Sequence, residues 1–290
     1  MGYRRATMQS TAASASGQYT AFEINQARGE RKAFALRDLA DGVSAVRLYM
    51  TLGWLDVKLR YRGSVLGPFW LTLSTIIWVL SMGLLYSQLF QMDTHRYLPY
   101  LALSLVLWNA IGAVIGDACT CFTSAEGTIR SLRLPYTIYA SRATVKNLLI
   151  MLHNLPVVIG VFAWYGTWPG AEALACLPGF AVWLVDSMAA CLLLGAFCAR
   201  FRDVGPIVGS VMQIAFFLTP VIWQPELIGA NAQYLLFNPF WPLLAIVQLP
   251  LLGHLPGYDL WGMALLWSGL LCGATAWLFV RARGRLAFWV

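Results

Sequence analysis

The chain has 290 residues, 59% hydrophobic and 11% charged, with a formal net charge of +7 and a mean hydropathy of +0.64. This composition excludes an ordinary soluble domain and indicates an all-α polytopic membrane protein. The basic excess does not indicate nucleic acid, because Lys and Arg sit in short connections beside apolar runs, where they face anionic lipid.

Residues 1–34 are rich in Ser, Ala, Thr and Gln without the apolar core of a signal peptide, so a disordered cytoplasmic tail is expected. Over residues 35–64, Leu36, Leu39, Val43, Val46, Met50, Trp54 and Val57 recur at steps of three and four, while Arg37, Asp38, Asp41, Arg47 and Asp56 fall off that stripe. The pattern predicts an amphipathic helix in the membrane interface, or alternatively a soluble cap packed on the protein's own loops. Either way it delivers Lys58, Arg60 and Arg62, with Tyr61 among them, to the headgroup level.

Apolar runs follow at about Val65 to Phe90, Tyr97 to Phe122, Ala143 to Tyr165, Ala173 to Ala199, Gly205 to Trp223 and Leu260 to Val280. Each is near the ~20 residues that cross a ~30 Å hydrocarbon core, which predicts six transmembrane helices within residues 65–285. Between the second and third, Thr123-Ser124-Ala125-Glu126 is a capping-box pattern, so a short helix should start there, run through Ile129, Arg130, Leu132 and Arg133, and stop before Pro135. This segment, 123–135, reads as a docking element for a soluble partner or as a tight connection. Asn238, Pro239, Pro242, Gln248 and Pro250 interrupt a further apolar stretch, so residues 225–253 are expected to form an external re-entrant hairpin of half-helices between spans five and six.

With the N-terminus cytoplasmic and six crossings, 19 of the 20 Lys and Arg residues fall on the cytoplasmic side, residues 286–290 included on that face, and only Arg96 lies outside. Counting the hairpin as a full span would put Arg281, Arg283 and Arg285 outside, against the positive-inside rule.

Catalytic chemistry is not indicated. A phosphate-binding loop needs a lysine after glycine, whereas Lys32 follows Arg31, Lys58 follows Val57 and Lys146 follows Val145. His95, His153 and His254 are far apart, which argues against a metal site, and the six cysteines read as buried free thiols. Asp117 and Asp186 lie inside spans, as structural acids, as a polar channel wall, or, in a proton-coupled carrier, as a relay. Gly112 and Gly116, Gly205 and Gly209, and Gly269 and Gly273 are small-residue pairs at spacing four, suited to close helix contacts within the chain or at a dimer seam.

Four motifs now carry a resemblance. They are Lys58-Leu59-Arg60-Tyr61-Arg62-Gly63-Ser64-Val65-Leu66-Gly67 with Trp70, the Ile129 to Pro135 segment, Phe201-Arg202-Asp203-Val204, and Asn238-Pro239 with Pro242. Together, from about Leu36 to Arg285, the chain resembles the permease subunit of ATP-binding-cassette exporters for lipid-linked polysaccharides, such as O-antigen, capsular polysaccharide and teichoic acid. One departure is that Tyr136 and Thr137 follow Pro135 where relatives often carry a charge.

The resemblance implies a multi-pass protein of the bacterial inner membrane with both termini cytoplasmic. It implies a homodimer around a channel, with two ATPase subunits that bind ATP and magnesium, and no cofactor in this chain. The helix at about Leu36 to Val57 would gate lateral admission of a polyprenyl-diphosphate glycan, with Lys58, Arg60, Tyr61 and Arg62 at the lipid headgroup. Thr123, Glu126, Ile129, Arg130, Leu132 and Arg133 would meet the ATPase. Phe216, Phe217, Trp223, Tyr234, Phe237, Phe240 and Trp241 would line the glycan channel and external gate by stacking on sugar faces, or else belong to an interfacial belt. A drug or small-lipid exporter and a proton-coupled secondary transporter are the alternative functions.

Overall fold

A computed structural model describes residues 29–60, 62, 69–89, 91–132 and 134–290. The expected tail lies outside the described residues as far as 28, and from 29 the chain is already helical, upstream of the expected boundary at 35. Helix α1 covers residues 29–44. Then follow α2 (Val46–Arg60), α3 (Phe69–Leu89), α4 (Thr94–Thr120), α5 (Glu126–Ser131), α6 (Tyr136–Tyr165), α7 (Cys176–Arg200), α8 (Val204–Leu218), α9 (Phe240–Leu251), α10 (Tyr258–Ala282) and α11 (Leu286–Trp289). No strand occurs among the described residues.

Among those residues, five helices are long and apolar enough to cross a membrane, and a sixth is counted if the pair Pro225–Phe237 and Phe240–Leu251, bent by 118°, is one span. The expected fifth span is shorter as a helix than its apolar run. Pro220 excludes helical geometry from the residue before it, so α8 ends at Leu218 with Thr219 extended (φ −94°, ψ 139°). Its 15 residues reach only about 22 Å. The extended turn completes the distance. At the end of the bundle where the basic residues gather, a side chain at Gly205 would meet Cys119 Cβ at 4.0 Å. At the opposite end Tyr97 donates to Ile222 O (2.6 Å), and Tyr100 donates to Pro220 O (2.6 Å) and Trp223 O (3.0 Å). From Gly205 to Trp223 the chain therefore runs beside α4 from Cys119 to Tyr97, about 22 steps or roughly 33 Å.

The bent pair enters from the end opposite the basic residues. Its apex at Asn238-Pro239 lies beside Trp108, whose ring meets Phe240 at 5.5 Å, and beside Trp267, whose indole donates to Leu236 O at 3.4 Å. Counted from the starts of α4 and α10, these tryptophans lie about 21 and about 14 Å deep. A backbone break at such depth must find its hydrogen bonds inside the protein. Asn238 supplies them locally: its amide donates to Leu218 O (3.3 Å) and Thr219 Oγ1 (3.0 Å), and its oxygen accepts from Phe240 N (2.9 Å), capping α9. Gly229 takes φ 54°, ψ −127° in the first arm, a conformation open to glycine.

The second arm, α9, is core. Leu244, Ala245, Ile246, Val247 and Gln248 are wholly buried, Gln248 donates to Ser104 Oγ (2.6 Å), and Trp183 donates to Leu243 O (2.7 Å). This core centres on α4 and α9, and a second, at the basic end, joins Ala35, Phe122, Ile129, Tyr139, Cys191, Phe279 and Leu286.

The six spacing-four glycines make no close contact within the chain. A side chain at Gly112, Gly116, Gly209, Gly269 or Gly273 would meet nothing within 4 Å, and at Gly205 only the contact already described. The expectation of close helix contacts there is therefore corrected for the single chain. Spacing identifies a small-residue face without saying what covers it.

Replacing Tyr100 with Phe leaves two buried carbonyls of the Pro220–Trp223 turn without a donor, a loss of about 1–3 kcal/mol. Thermal unfolding of the purified protein in detergent should register it as a lower midpoint than that of an exposed control such as Tyr258→Phe.

Candidate functional site

Helix α6 begins directly after Pro135, which has no side-chain oxygen to cap it. Its first N–H groups would be orphaned. Asp38 of α1 takes them from a distance: its carboxylate accepts from Tyr136 N (3.2 Å), Thr137 N (3.1 Å) and Thr137 Oγ1 (2.9 Å), and Arg283 Nε donates to it at 2.8 Å. Asp38 is 2% exposed, so an acid that looked like part of a solvated face is the N-cap of another helix, favoured there by the helix dipole and the guanidinium. Thr137 faces this carboxylate with both its backbone N–H and its hydroxyl.

One turn along, a side chain at Gly42 would lie 2.4 Å from Thr137 Cβ, and on α2 one at Gly53 would lie 2.8 Å from Val145 Cγ1. Arg142 Nε then donates to Asp56 Oδ2 (2.6 Å), with a second contact from its Nη2 to Oδ1. Lys146 pairs with Asp117 (2.6 Å), which also accepts from Asn147 Nδ2 (2.6 Å). Asp117 thus belongs to a paired network, whereas Asp186 stands apart and accepts from Ser268.

These anchors set which way the amphipathic segment faces. Ala35, Asp38, Gly42, Gly53 and Val57 point inward, while Leu36 (66% exposed), Leu39, Val43, Val46, Met50 and Trp54 (55%) point outward. Except for Val57, the predicted stripe is on the outside, and the segment packs on α6 through its other face. The segment is also two helices, broken at Ala45. Lys58 and Arg60 are exposed on the last turn of α2, and Arg62 is exposed just beyond it. None of the three has an acidic partner among the described residues. Tyr61 and the Gly63–Pro68 part of the basic motif lie outside them.

The 123–135 segment starts where expected but with different chemistry. Thr123–Ala125 is a 3-10 turn in which the Thr123 hydroxyl donates to Thr120 O (3.3 Å), and no side chain caps α5. The capping box does not form because the turn directs Thr123 backwards, and Glu126 instead pairs with Arg130 at 2.8 Å on the surface. The helix stops at Ser131, with Leu132 extended (φ −124°, ψ 132°) and Leu132 exposed. Ile129 is buried and holds the segment down, and Arg130 Nη2 donates to Val290 O (2.6 Å). Arg133 lies outside the described residues.

The root of this segment is Phe122, wholly buried, edge-on to Tyr136 (5.7 Å) and Tyr139 (6.4 Å) and packed where Gly195 leaves no Cβ. Residues 286–290, expected only at the cytoplasmic face, join it: Leu286 is wholly buried and Val290 nearly so. Sequence reasoning missed Phe122, Asp38 as a cap, Arg283 and Leu286, because each acts through a partner remote in sequence.

At the opposite end the aromatics divide. Phe217, Tyr234 and Phe237 are exposed, and Phe216, Trp223 and Phe240 are half-buried. Trp241 is buried in the core at 6% exposure, in the first turn of α9. The structure thus brings the basic triplet, the 123–135 segment and the chain's C-terminal residues to one end, and the aromatic set to the other.

Comparison with known proteins bears on this arrangement. A family model described as "ABC-2 type transporter" matches residues 47–251. The O-antigen export system permease protein RfbA of Myxococcus xanthus is 24% identical over 204 residues, covering 69% of this chain and 78% of that protein. Two proteins of the same name from Klebsiella pneumoniae are 19% and 18% identical over 186 residues, each covering 63% of this chain and 72% of theirs.

Asp38→Ala should uncap α6 and strand the Arg283 charge, costing about 3–5 kcal/mol as for other broken buried pairs. Limited proteolysis is the second readout: residues 29–44 should be cut faster than in the parent, while Asp41→Ala, on the exposed side, should leave both measurements unchanged.

Proposed function

The chain belongs to the ABC-2 type transporter family, a membrane permease family, and on that footing we propose that it is the permease subunit of an ATP-driven exporter of a polyprenyl-diphosphate-linked polysaccharide such as O-antigen. It moves this substrate from the cytoplasmic to the outer side of the bacterial inner membrane. Two copies pair around the path, and two ATP-binding-cassette subunits bind and hydrolyse ATP with magnesium. The observation that carries the reading is the outward apolar face of α1 and α2, which suits a helix lying in the cytoplasmic headgroup region and presents Lys58, Arg60 and Arg62 beside the first span. Arginine forms charge-assisted, often bidentate hydrogen bonds to phosphate, which is what a diphosphate-linked lipid offers at that depth.

Six crossings with both termini cytoplasmic follow if α8 and its extended turn cross and the bent pair re-enters. The parallel course of Gly205–Trp223 along α4 supports this. The 123–135 segment meets the ATPase through its exposed face, Ser124, Gly127, Arg130 and Leu132, while Ile129 and Phe122 transmit the push inward. Phe216, Phe217, Trp223, Tyr234, Phe237 and Phe240 serve the outer end of the glycan path.

Arg60→Gln with Arg62→Gln should reduce surface glycan roughly tenfold or more, the scale of losing charge-assisted contacts, while co-purification with the ATPase stays at the parental level. Normal export from that variant would remove the phosphate role. Leu132→Asp should do the reverse, weakening ATPase co-purification with the chain still folded. Transport by the reconstituted chain without any ATPase, collapsing with the proton gradient, would instead identify a proton-coupled carrier.

A further inference from the structure

Four of the six cysteines meet across one seam. On α7, Cys191, Gly195 and Cys198 recur at steps of four and three and so share a face. Gly195 lets that face press on the end of α4: a side chain there would lie 3.3 Å from Ala118 O and 2.9 Å from Phe122 Cδ2. The approach sets Cys198 beside Cys119 and Cys191 beside Cys121, the two thiols of each pair being hydrogen-bond neighbours. Sequence spacing gives no sign of this, because the partners of each pair are remote in the chain.

The two pairs differ in access. Cys191 is wholly buried, whereas Cys119 and Cys198 both line an open cleft of about 620 Å³ between α4, α7 and α8 at the basic end. Gly205 of α8 keeps the way to Cys119 clear, since even a Cβ added there would come no closer than 4.0 Å to Cys119 Cβ. The other polar side chains of the cleft are mostly committed. Thr120 and Thr123 give their hydroxyls to backbone carbonyls, and Glu126 pairs with Arg130. Arg202 has no acidic partner among the described residues. The cleft therefore offers two adjacent thiols and one uncommitted cation.

We propose that Cys119 and Cys198 form a two-coordinate site for a thiophilic monovalent metal ion of the copper(I) or silver(I) class. Thiolates are soft ligands that select copper(I), and no group of three or more His, Cys, Asp or Glu side chains able to hold a metal occurs among the described residues, which disfavours four-ligand zinc. Binding replaces each S–H bond by a sulfur–metal bond, and both protons pass to water without any transfer of electrons. The bis-thiolate complex carries one net negative charge, which the Arg202 guanidinium in the same cleft offsets. Because Cys119 lies shortly before Phe122, the bound ion ties α7 to the root of the 123–135 segment. The site does not depend on what the chain transports.

The test uses the full-length chain in detergent, loaded anaerobically with copper(I) from its bicinchoninate complex. X-ray absorption of the desalted protein should show copper with two sulfur neighbours. Cys119→Ser and Cys198→Ser should each weaken copper binding roughly a hundredfold or more, the scale of losing the second of two linked contacts, while Cys272→Ser should leave it unchanged. In the parent chain, copper should protect Cys119 and Cys198 from alkylation by N-ethylmaleimide and leave Cys272 labelled as before. That readout needs no variant and decides the matter if a serine variant fails to fold. Parental copper affinity in Cys119→Ser or Cys198→Ser, or alkylation of Cys119 and Cys198 that copper does not change, overturns the proposal.

Discussion

The N-terminus of α6 has no cap of its own, and much of the basic end is arranged around that deficit. Pro135 stops the segment before it and offers no oxygen, so the first free N–H groups of α6 are satisfied by Asp38, 98 residues away. The same carboxylate holds Arg283 after α10. One buried acid therefore joins α1, the start of α6 and the residue just after α10. Removing α1 from this contact uncaps α6, so the two helices hold each other in place.

That junction also explains the reversed polarity of the N-terminal helices. Their inward face is small or acidic, Ala35, Asp38, Gly42 and Gly53, and their outward face is Leu36, Met50 and Trp54. In water such an arrangement forgoes about 1.5–3 kcal/mol for each large apolar side chain left exposed. At a bilayer surface the same side chains enter the acyl boundary and the balance changes sign. The inward glycines let the backbones approach, and the ion pairs Asp38–Arg283 and Asp56–Arg142 hold the register, so attachment to the protein leaves the large apolar side chains free.

What was legible in the sequence was mostly local. Long apolar runs marked α3, α4, α6, α7 and α10, and Asn238-Pro239 marked the break before α9, because length and proline act over a few residues. Pro220 was equally local but its effect on Thr219 was overlooked, so α8 came out shorter than its apolar run. The capping-box pattern failed for a related reason: it states which side chains are available and not that a 3-10 turn will aim Thr123 at Thr120. Long-range pairs were not legible at all. Asp38 and Asp56 carry no mark that distinguishes them from solvated acids, since their partners lie 98 and 86 residues on. Nor did glycine spacing separate Gly53, pressed on Val145, from Gly112, which meets nothing.

Arg142, Lys146 and Asn147 occupy successive positions along one stretch of α6, and each faces a different neighbour. Arg142 holds α2 through Asp56, Lys146 holds α4 through Asp117, and Asn147 shares that Asp117. A rotation of α6 that kept one of these contacts would strain the others, because all three side chains leave within two turns of the same helix. The contacts of α6 with α2 and with α4 are therefore set by the same six-residue span, 142–147. A rotation of α6 against α2 and α4 therefore breaks Asp56–Arg142 and Asp117–Lys146, and breaking such partly buried pairs costs more than sliding apolar surfaces past each other.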